Sequence, residues 1–598
     1  MASHRQRKLI WLGLALIMAF GFFLRSYHFA DWLHFELDQA RDARVIDAAL
    51  EGGPSELPLL GPKAGGTFLR LGPGYYYLQY LGATLFGGTP AGMAMIILIT
   101  SVASIAIFFF LTRRLFPDWL ALLLTLAYST AEYLVMYGRF AWNPNMLPCF
   151  ILLGMYALLR SVGGGERHPG WWLAVSAAAF GIATQLHFLA FLAVPIFVIL
   201  FLLLRRPRFQ LRAWVAASSI VGILYFPMLL NEFATGGANT REFIGAITEK
   251  STKEDHSLLE KFIRNGAEHV LAGLVVTTGF EGGTLPAFKT SGGPLISCQG
   301  KCDAGKPYGL AAAAVFALAG AAFISLSIRE AERREKDFLL AVGLWMIITF
   351  TLFTPLAYGM APRFFLLSGP FFFIFIGCLL LVVSRALPWS KLGHTLAVAS
   401  MIALVGLNYT SLNLRFDELA RSAHEPVDSP PDRILKERIR VTLAQQERIV
   451  DFLQARSAEH GHPVYMFSEP QHRRALKYLM ERRGIENAVL GYDGIYRQGV
   501  YYLVLRAQSD LEDALRKYRV SYDVGATVPF GTLVAIELVP KPFAIIGERQ
   551  DFSVPKPVSD SLAPRRYTWR EYFGQSDGPV EDSTSLDQLE DEANNQSE

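Results

Sequence analysis

Apolar residues dominate long runs in the first 410 positions, and short loops rich in Arg and Lys separate those runs. Eleven runs are long enough to cross about 30 Å of hydrocarbon as helices. They lie near 9–24, 91–112, 119–137, 144–160, 171–186, 188–204, 212–230, 308–328, 337–356, 364–384 and 392–409. The pattern predicts a polytopic α-helical membrane protein. "HRQRK" before the first run also suits a secretory signal, but "GFFLRSYHF" after it has no small-x-small cleavage pattern, so an uncleaved anchor is expected. The basic loops "HRQRK", "TRRLF", "RSVGGGERHPG", "RRPRFQLR", "REAERREK" and "SRALPWSK" alternate in register with the runs. Basic loops stay on the cytoplasmic side. This puts the N-terminus in the cytoplasm of a multi-pass plasma (inner) membrane protein, and everything beyond about 410 outside.

Two long outer loops follow from that topology, 25–90 and 231–307. The first carries "LDQARDARVIDAAL", read as a helix over 38–50, and "GPGYYYLQYLGATLFG", too short and Gly-broken to span and read as a helix lying at the interface. Together they are expected to form an amphipathic lid. Past 410 the pattern changes to that of a small α/β domain over 411–574. A helix is expected from "DRILKERIRV" through "EHG", closed by Gly461. "PVYMFS", "VYYLVLR" and "TLVAIELV" read as strands, and "EPQHRRALKYLMERRG" and "SDLEDALRKYR" as helices. The tail over 575–598 is acidic and nearly free of aromatics, and is expected to be disordered.

Composition agrees with a membrane chain: 52% of the 598 residues are hydrophobic and 18% charged. A net charge of +3 gives no reason to expect a nucleic-acid partner. No phosphate loop, dinucleotide glycine fingerprint or zinc-helix motif is present, which argues against a nucleotide-driven machine. Of four cysteines, Cys149 and Cys378 fall in apolar runs and read as small core residues. Cys298 and Cys302 fall in the outer loop and are expected to pair as a disulfide, since no His or further Cys follows at metal-ligand spacing.

The topology gathers polar residues at one membrane face: Asp38, Arg41, Asp42, Arg44, Lys63, Arg70, Arg139, Asn143, Asn145, Gln185, His187, Glu232, Asn239, Tyr358 and Arg363. Each has a plain reading. Arg139 and Arg363 suit snorkelling to lipid phosphates, Asn143 and Pro144 suit the start of the fourth helix, His187 suits a packed histidine, and Asp38 and Asp42 suit a solvated helix face. Their convergence is harder to explain, because polar groups at membrane depth are costly and usually line a site. A transporter or lipid-carrier flippase would also use such residues, but no internal repeat is visible and the polar groups gather at the edge rather than the midplane. A non-catalytic assembly subunit would be marked by loss of the acid or the cations, and both are retained.

Over roughly 9–410 the chain resembles the GT-C class of membrane glycosyltransferases, in particular the branch of protein O-mannosyltransferases and aminoarabinose transferases. The resemblance rests on "LDQARDA" after the first run, "GPGYYYLQYLGATLFG" leading to "TRRLF", "YGRFAWNPN", "QLHF" and "APRFFLLSGP" in combination. It implies a sugar donor on a polyprenyl phosphate, a glycan, lipid or protein acceptor, and an acid after the first span as catalytic base; carried over, that acid is Asp38. Arg363 would face the donor phosphate, with Arg139 and Lys63 as weaker candidates, and Asn143, His187 and Tyr358 would shape the substrate pocket. Many relatives have Asp-Glu where this chain has Asp38-Gln39, so a second acid would be Asp42 or Glu232. No cofactor is expected. A divalent metal is the less favoured alternative to cationic side chains.

Overall fold

The computed structural model describes residues 4–65, 67–249, 256–288, 296–298, 301–386, 390–427, 432–490, 494–552 and 564–574; the acidic tail over 575–598 lies outside these. Helices occupy all eleven expected segments. α1 (His4–Ser26) is followed by α2 (Leu37–Gly52) and α3 (Gly74–Phe86), the two helices expected in the first loop. Next come α4 (Pro90–Thr112), α5 (Asp118–Thr130), α6 (Glu132–Tyr137), α7 (Leu147–Ser161), α8 (Pro169–Leu186), α9 (Phe188–Arg205) and α10 (Leu211–Ala234). The second long loop holds α11 (Ala238–Glu249), α12 (Leu258–Thr278) and the short antiparallel pair β1 (Ala287–Phe288) and β2 (Ile296–Ser297). The helices α13 (Lys301–Arg329), α14 (Arg333–Phe353), α15 (Gly369–Ala386) and α16 (Ser390–Ser422) complete the bundle. Eight of these, α1, α4, α9, α10, α13, α14, α15 and α16, are each long and apolar enough to cross a membrane.

The third expected span is not one helix. It breaks at Ala131, whose ψ of 115° lies outside the helical region. The break lets the buried Glu132 find partners, with its N–H donating to Asn408 Oδ1 (3.0 Å) and its carboxylate accepting from Arg415 Nε (2.7 Å). A second departure is α12, which starts in a Ser257/Glu260 capping box inside the stretch expected to be a loop. Asn265 on α12 donates to Phe350 O on α14 (2.8 Å), and Asn408 on α16 donates to Thr277 O in the last turn of α12 (2.6 Å). α12 is thus tied to α14 and α16, and it is not among the described helices apolar enough to cross a membrane. The basic loops meet at one end of the bundle, where Arg114 donates to Leu159 O (3.2 Å), Arg205 pairs with Asp337, and Arg385 pairs with Glu330.

α16 continues to Ser422, past the expected boundary at 410. The helix expected from 432 begins only at Leu443, as α17 (Leu443–His460), opened by a Thr442/Gln445 capping box and closed by Gly461 at φ +63°. Residues 432–441 stay irregular because Asp432 Oδ1 accepts from the N–H groups of Ile434 (2.8 Å) and Leu435 (3.1 Å), offering the backbone an alternative to helix. The α/β domain follows with β3 (Val464–Ser468), α18 (Pro470–Arg482), β4 (Asn487–Val489), β5 (Val500–Arg506), α19 (Leu511–Arg516), β6 (Tyr522–Phe530) and β7 (Leu533–Pro540). Its five-stranded sheet has the order β4-β3-β5-β7-β6; β3 runs parallel to β4 and β5, and β7 antiparallel to β5 and β6. Of these, β4 and β6 were not expected. α18 packs against α2. Residues 564–574, with α20 (Trp569–Tyr572), return to the loop between α1 and α4: Leu59 N–H donates to Tyr567 O (2.8 Å), and Trp569 Nε1 donates to Tyr77 OH (2.9 Å).

One buried ion network joins these parts. Arg415 on α16 donates to Glu132 (2.7 Å), to Glu281 beyond α12 (3.0 Å) and to both oxygens of Asp432 (3.0 and 3.2 Å). Arg440 donates to Asp432 (2.8 Å), Glu437 (2.8 Å) and Glu418 (2.9 Å). Removing one partner of such a set strands buried charge, at a cost of about 3–5 kcal/mol. Arg415→Met is therefore expected to lower the unfolding temperature of the detergent-purified protein sharply; an unchanged transition would show that the network does not hold the fold.

Candidate active site

Asp38 sits in the first turn of α2, where the helix end favours an anion. Residues three and four positions apart share a helix face, so Arg41 and Asp42 lie beside it. Arg41 Nη1 donates to Asp38 Oδ1 (2.9 Å), while its Nε and Nη2 both donate to Asp42 Oδ1 (2.9 Å each). Tyr76 OH on α3 also donates to Asp42 Oδ1 (3.0 Å). Asp42 is 0% exposed, so it is not the solvated side of a helix. Burial pushes its pKa up to about 6 against the pull of Arg41, which leaves it the ionised counter-ion of that arginine at neutral pH. Asp38 differs: its side chain remains about a third exposed, at 34%.

The second oxygen of Asp38 meets a residue that the sequence reading passed over. Trp142, in the turn between α6 and α7, donates from Nε1 to Asp38 Oδ2 (3.0 Å). The Arg363 guanidinium lies 4.9 Å from the centroid of the same indole and 5.6 Å from that of Phe364. Such stacking holds a guanidinium flat while leaving its edge free to meet an anion. His187, between α8 and α9, packs edge-on to Phe364 at 5.4 Å, and its Nδ1 accepts from Leu189 N–H (3.2 Å) as the N-cap of α9. Asn143 does not cap the following helix, which starts at Leu147 after a 3₁₀ turn. Its amide donates instead to Leu186 O (2.6 Å), tying the Trp142 turn to the end of α8. The loop over 61–72 closes the other side. A Cβ added to Gly65 would come within 3.3 Å of Arg363 Nη2, and one on Gly72 within 2.5 Å of Gln185 Cγ, so the backbone passes close at both places. Lys63 is on that loop, with Nζ 5.8 Å from the Phe68 ring centroid.

Asp38, Arg41, Trp142, Asn143, His187 and Arg363 thus share one site. Other candidates lie elsewhere. Arg139 is 2% exposed and donates to the carbonyls of Leu24 and Arg25 (3.0 Å each) and Tyr27 (2.7 Å), which closes the C-terminal end of α1. Both terminal nitrogens are thus committed to the end of α1 in this structure. Glu232 Oε2 accepts from Thr240 Oγ1 (2.9 Å) and N–H (3.3 Å) near the start of α11, so it serves that helix and not Asp38. Tyr358 stacks on His256 (3.8 Å) and lines a cavity of about 460 Å³, together with Tyr133, Met360, Arg264, Arg433 and Lys436. Cys298 and Cys302 are joined as a disulfide, and Cys302 lines that cavity too.

Comparison with known proteins bears on the fold. The family model of dolichyl-phosphate-mannose-protein mannosyltransferase matches residues 71–230. The crystal structure of ArnT from Cupriavidus metallidurans in the apo state is similar at a TM-score of 0.52 and 12% identity, over 89% of this chain and 98% of that one. The same protein bound to undecaprenyl phosphate gives 0.52 and 13%, over 90% and 98%. The Archaeoglobus fulgidus oligosaccharyltransferase in the apo form gives 0.50 and 13%, over 91% of this chain and 76% of that one. No curated protein matches the chain by sequence. The chain accordingly has the GT-C-like membrane fold with a C-terminal α/β domain. For Arg139 the geometry has a direct consequence: Arg139→Gln is expected to lower the unfolding temperature while leaving the KM for a lipid-linked donor unchanged. A raised donor KM without loss of stability would return Arg139 to the substrate.

Proposed function

We propose that the chain is an inverting glycosyltransferase that moves a sugar from a polyprenyl-phosphate carrier to a hydroxyl of a glycan, lipid or protein at the extracytoplasmic face of the plasma (inner) membrane. One observation carries this reading. Asp38 is held at both oxygens, by Arg41 and by the Trp142 indole, and the face of that indole carries the Arg363 guanidinium. A fixed, partly exposed base at the edge and a cation over the face are thereby set about a single aromatic ring. The family model that matches 71–230 describes a mannosyltransferase using dolichyl phosphate mannose, and the ArnT structure with undecaprenyl phosphate is a lipid-phosphate complex on the same fold.

Asp38 takes the proton of the acceptor hydroxyl as its oxygen bonds to the anomeric carbon. The bond from that carbon to the carrier phosphate breaks on the opposite face, and its electron pair stays on the phosphate. Arg363 meets the charge that develops there, a contribution that is large where donors are already in place. Arg41 orients Asp38 and is itself held by Asp42, so Asp42 acts as a positioning residue. In this reading cationic side chains do the work at the reacting atoms, with no metal between Asp38 and Asp42. His187 and Asn143 shape the wall beside Arg363. The clustering of the basic loops at the end opposite the α/β domain supports a cytoplasmic N-terminus and an external C-terminal domain.

Transfer of labelled sugar from synthetic polyprenyl-phosphate donors tests the assignment. Asp38→Asn is expected to cut transfer by about 10²–10⁴-fold with the unfolding temperature unchanged; wild-type turnover in that variant would remove Asp38 as the base. Arg363→Ala is expected to cost about 10²–10³-fold. Arg363→Lys should recover only part of this, since an ammonium keeps the charge but not the planar stack on Trp142. Equal activity of the Ala and Lys variants would mean that Arg363 packs the site without meeting the phosphate.

A further inference from the structure

At the end of the bundle where the basic loops meet, three parts of the chain enclose a cavity of about 560 Å³. Arg113 and Arg114 reach it from the α4–α5 turn, Arg160 from the last turn of α7, and Arg333 and Arg334 from the first turn of α14. Two acids line it as well, Glu166 and Asp337. Both are already paired, Glu166 with Arg160 and Asp337 with Arg205 of α9, while Arg113 pairs with Asp118. Arg114, Arg333 and Arg334 make no ion pair among the described residues, so the cavity keeps an excess of positive charge.

Two independent observations point to an anion. Arg114 is 8% exposed; its Nη2 donates to Leu159 O (3.2 Å), but its Nε has no hydrogen-bond partner among the described residues. Burial, and then the neighbouring charge of Arg334, push its pKa down to about 10. A buried charge is normally paired, and this one is not. Arg333 and Arg334 also begin α14, at the positive end of a helix, where cations are disfavoured and anions bind. No side chain caps that end, and Glu335 of the same turn lines a neighbouring cavity and not this one.

The aromatic wall indicates where the anion comes from. Phe110 and Tyr156 line the cavity and belong to a row of rings across four helices, Trp11 to Phe110 (5.9 Å), Phe110 to Tyr156 (6.2 Å) and Tyr156 to Trp172 (5.8 Å). Such rings gather at the level of the lipid headgroups. The other wall is open, since a Cβ on Gly164 or Gly165 would meet nothing within 4 Å. We propose that this cavity binds the phosphate of an anionic phospholipid, with Arg114, Arg333 and Arg334 as donors and Phe110 and Tyr156 against the apolar part of the lipid. The planar fork of a guanidinium matches phosphate oxygens, and basic pockets between membrane helices hold lipid headgroups in this way. A lipid seated there ties the α4–α5 and α7–α8 turns to the start of α14. The inference rests on the topology proposed above, which puts this end at the cytoplasmic leaflet, and takes nothing from sugar transfer.

The test titrates full-length protein in detergent with phosphatidylglycerol, with phosphatidylcholine of the same chains, or with inorganic phosphate, reading bound lipid by native mass spectrometry together with the unfolding temperature. Wild type is expected to bind phosphatidylglycerol and unfold at a higher temperature with it, and to respond to neither of the others. Arg333→Gln/Arg334→Gln should weaken that binding about 30-fold, as loss of two cations beside an anionic headgroup implies. Arg333→Gln alone breaks no hydrogen bond among the described residues and carries the test, at about 5-fold, if the double variant fails to fold. Arg206→Gln/Arg208→Gln removes the same charge from the α9–α10 turn, outside the cavity, and is expected to bind as wild type does. Absence of phosphatidylglycerol binding, an equal response to phosphatidylcholine, or an equal loss in the Arg206/Arg208 pair would each overturn the site. A response to inorganic phosphate equal to that for the lipid would make the cavity a site for a soluble anion and overturn it too. The measurement is blind to leaflet and needs no sugar transfer, so its failure would count against this cavity alone.

Discussion

The bidentate grip of Arg415 on Asp432 is the interaction on which the arrangement of this protein depends. It brings together the last membrane helix, the broken third span through Glu132, the stretch after α12 through Glu281, and the segment leading into the α/β domain. Low local dielectric makes such a network strong when complete and costly when one member is missing. It therefore imposes geometry: the third span must break at Ala131, and residues 432–441 must stay out of helix, so that their carboxylates can reach it.

The candidate site sits on that frame. α2 leaves the membrane bundle after Arg139 has closed the end of α1, and α18 covers its outer side, so the face bearing Asp38 has little freedom. Arg41 lies between two carboxylates and donates to both. One of those carboxylates, Asp42, is fully buried; the other, Asp38, is partly exposed. The asymmetry comes from position on the helix, since Asp42 faces Tyr76 and α3 while Asp38 faces the open side.

Much of this was legible in the residues. The runs of apolar positions located all eleven helical segments, because hydrocarbon thickness demands a minimum length of apolar helix whatever the neighbours are. Closure at Gly461 followed from local chemistry, and the helical reading of "LDQARDARVIDAAL" placed Asp38 and Asp42 one turn apart. Motif resemblance singled out Asp38 and Arg363.

Tertiary structure alone decided the rest. Trp142 lay inside a motif already noted, yet only folding aims its indole N–H at Asp38 and its ring at Arg363. Arg139 and Arg363 look alike in sequence, each an arginine at a span end; one spends its donors on the carbonyls that end α1, and the other is stacked on the site. The helix expected from 432 failed because long-range ion pairs outbid local propensity, and α12 went unseen because its apolar half is too short to read as a span. Length, periodicity and capping are local properties that a chain carries in its order of residues. Which donor meets which acceptor across hundreds of positions is set only when the helices pack.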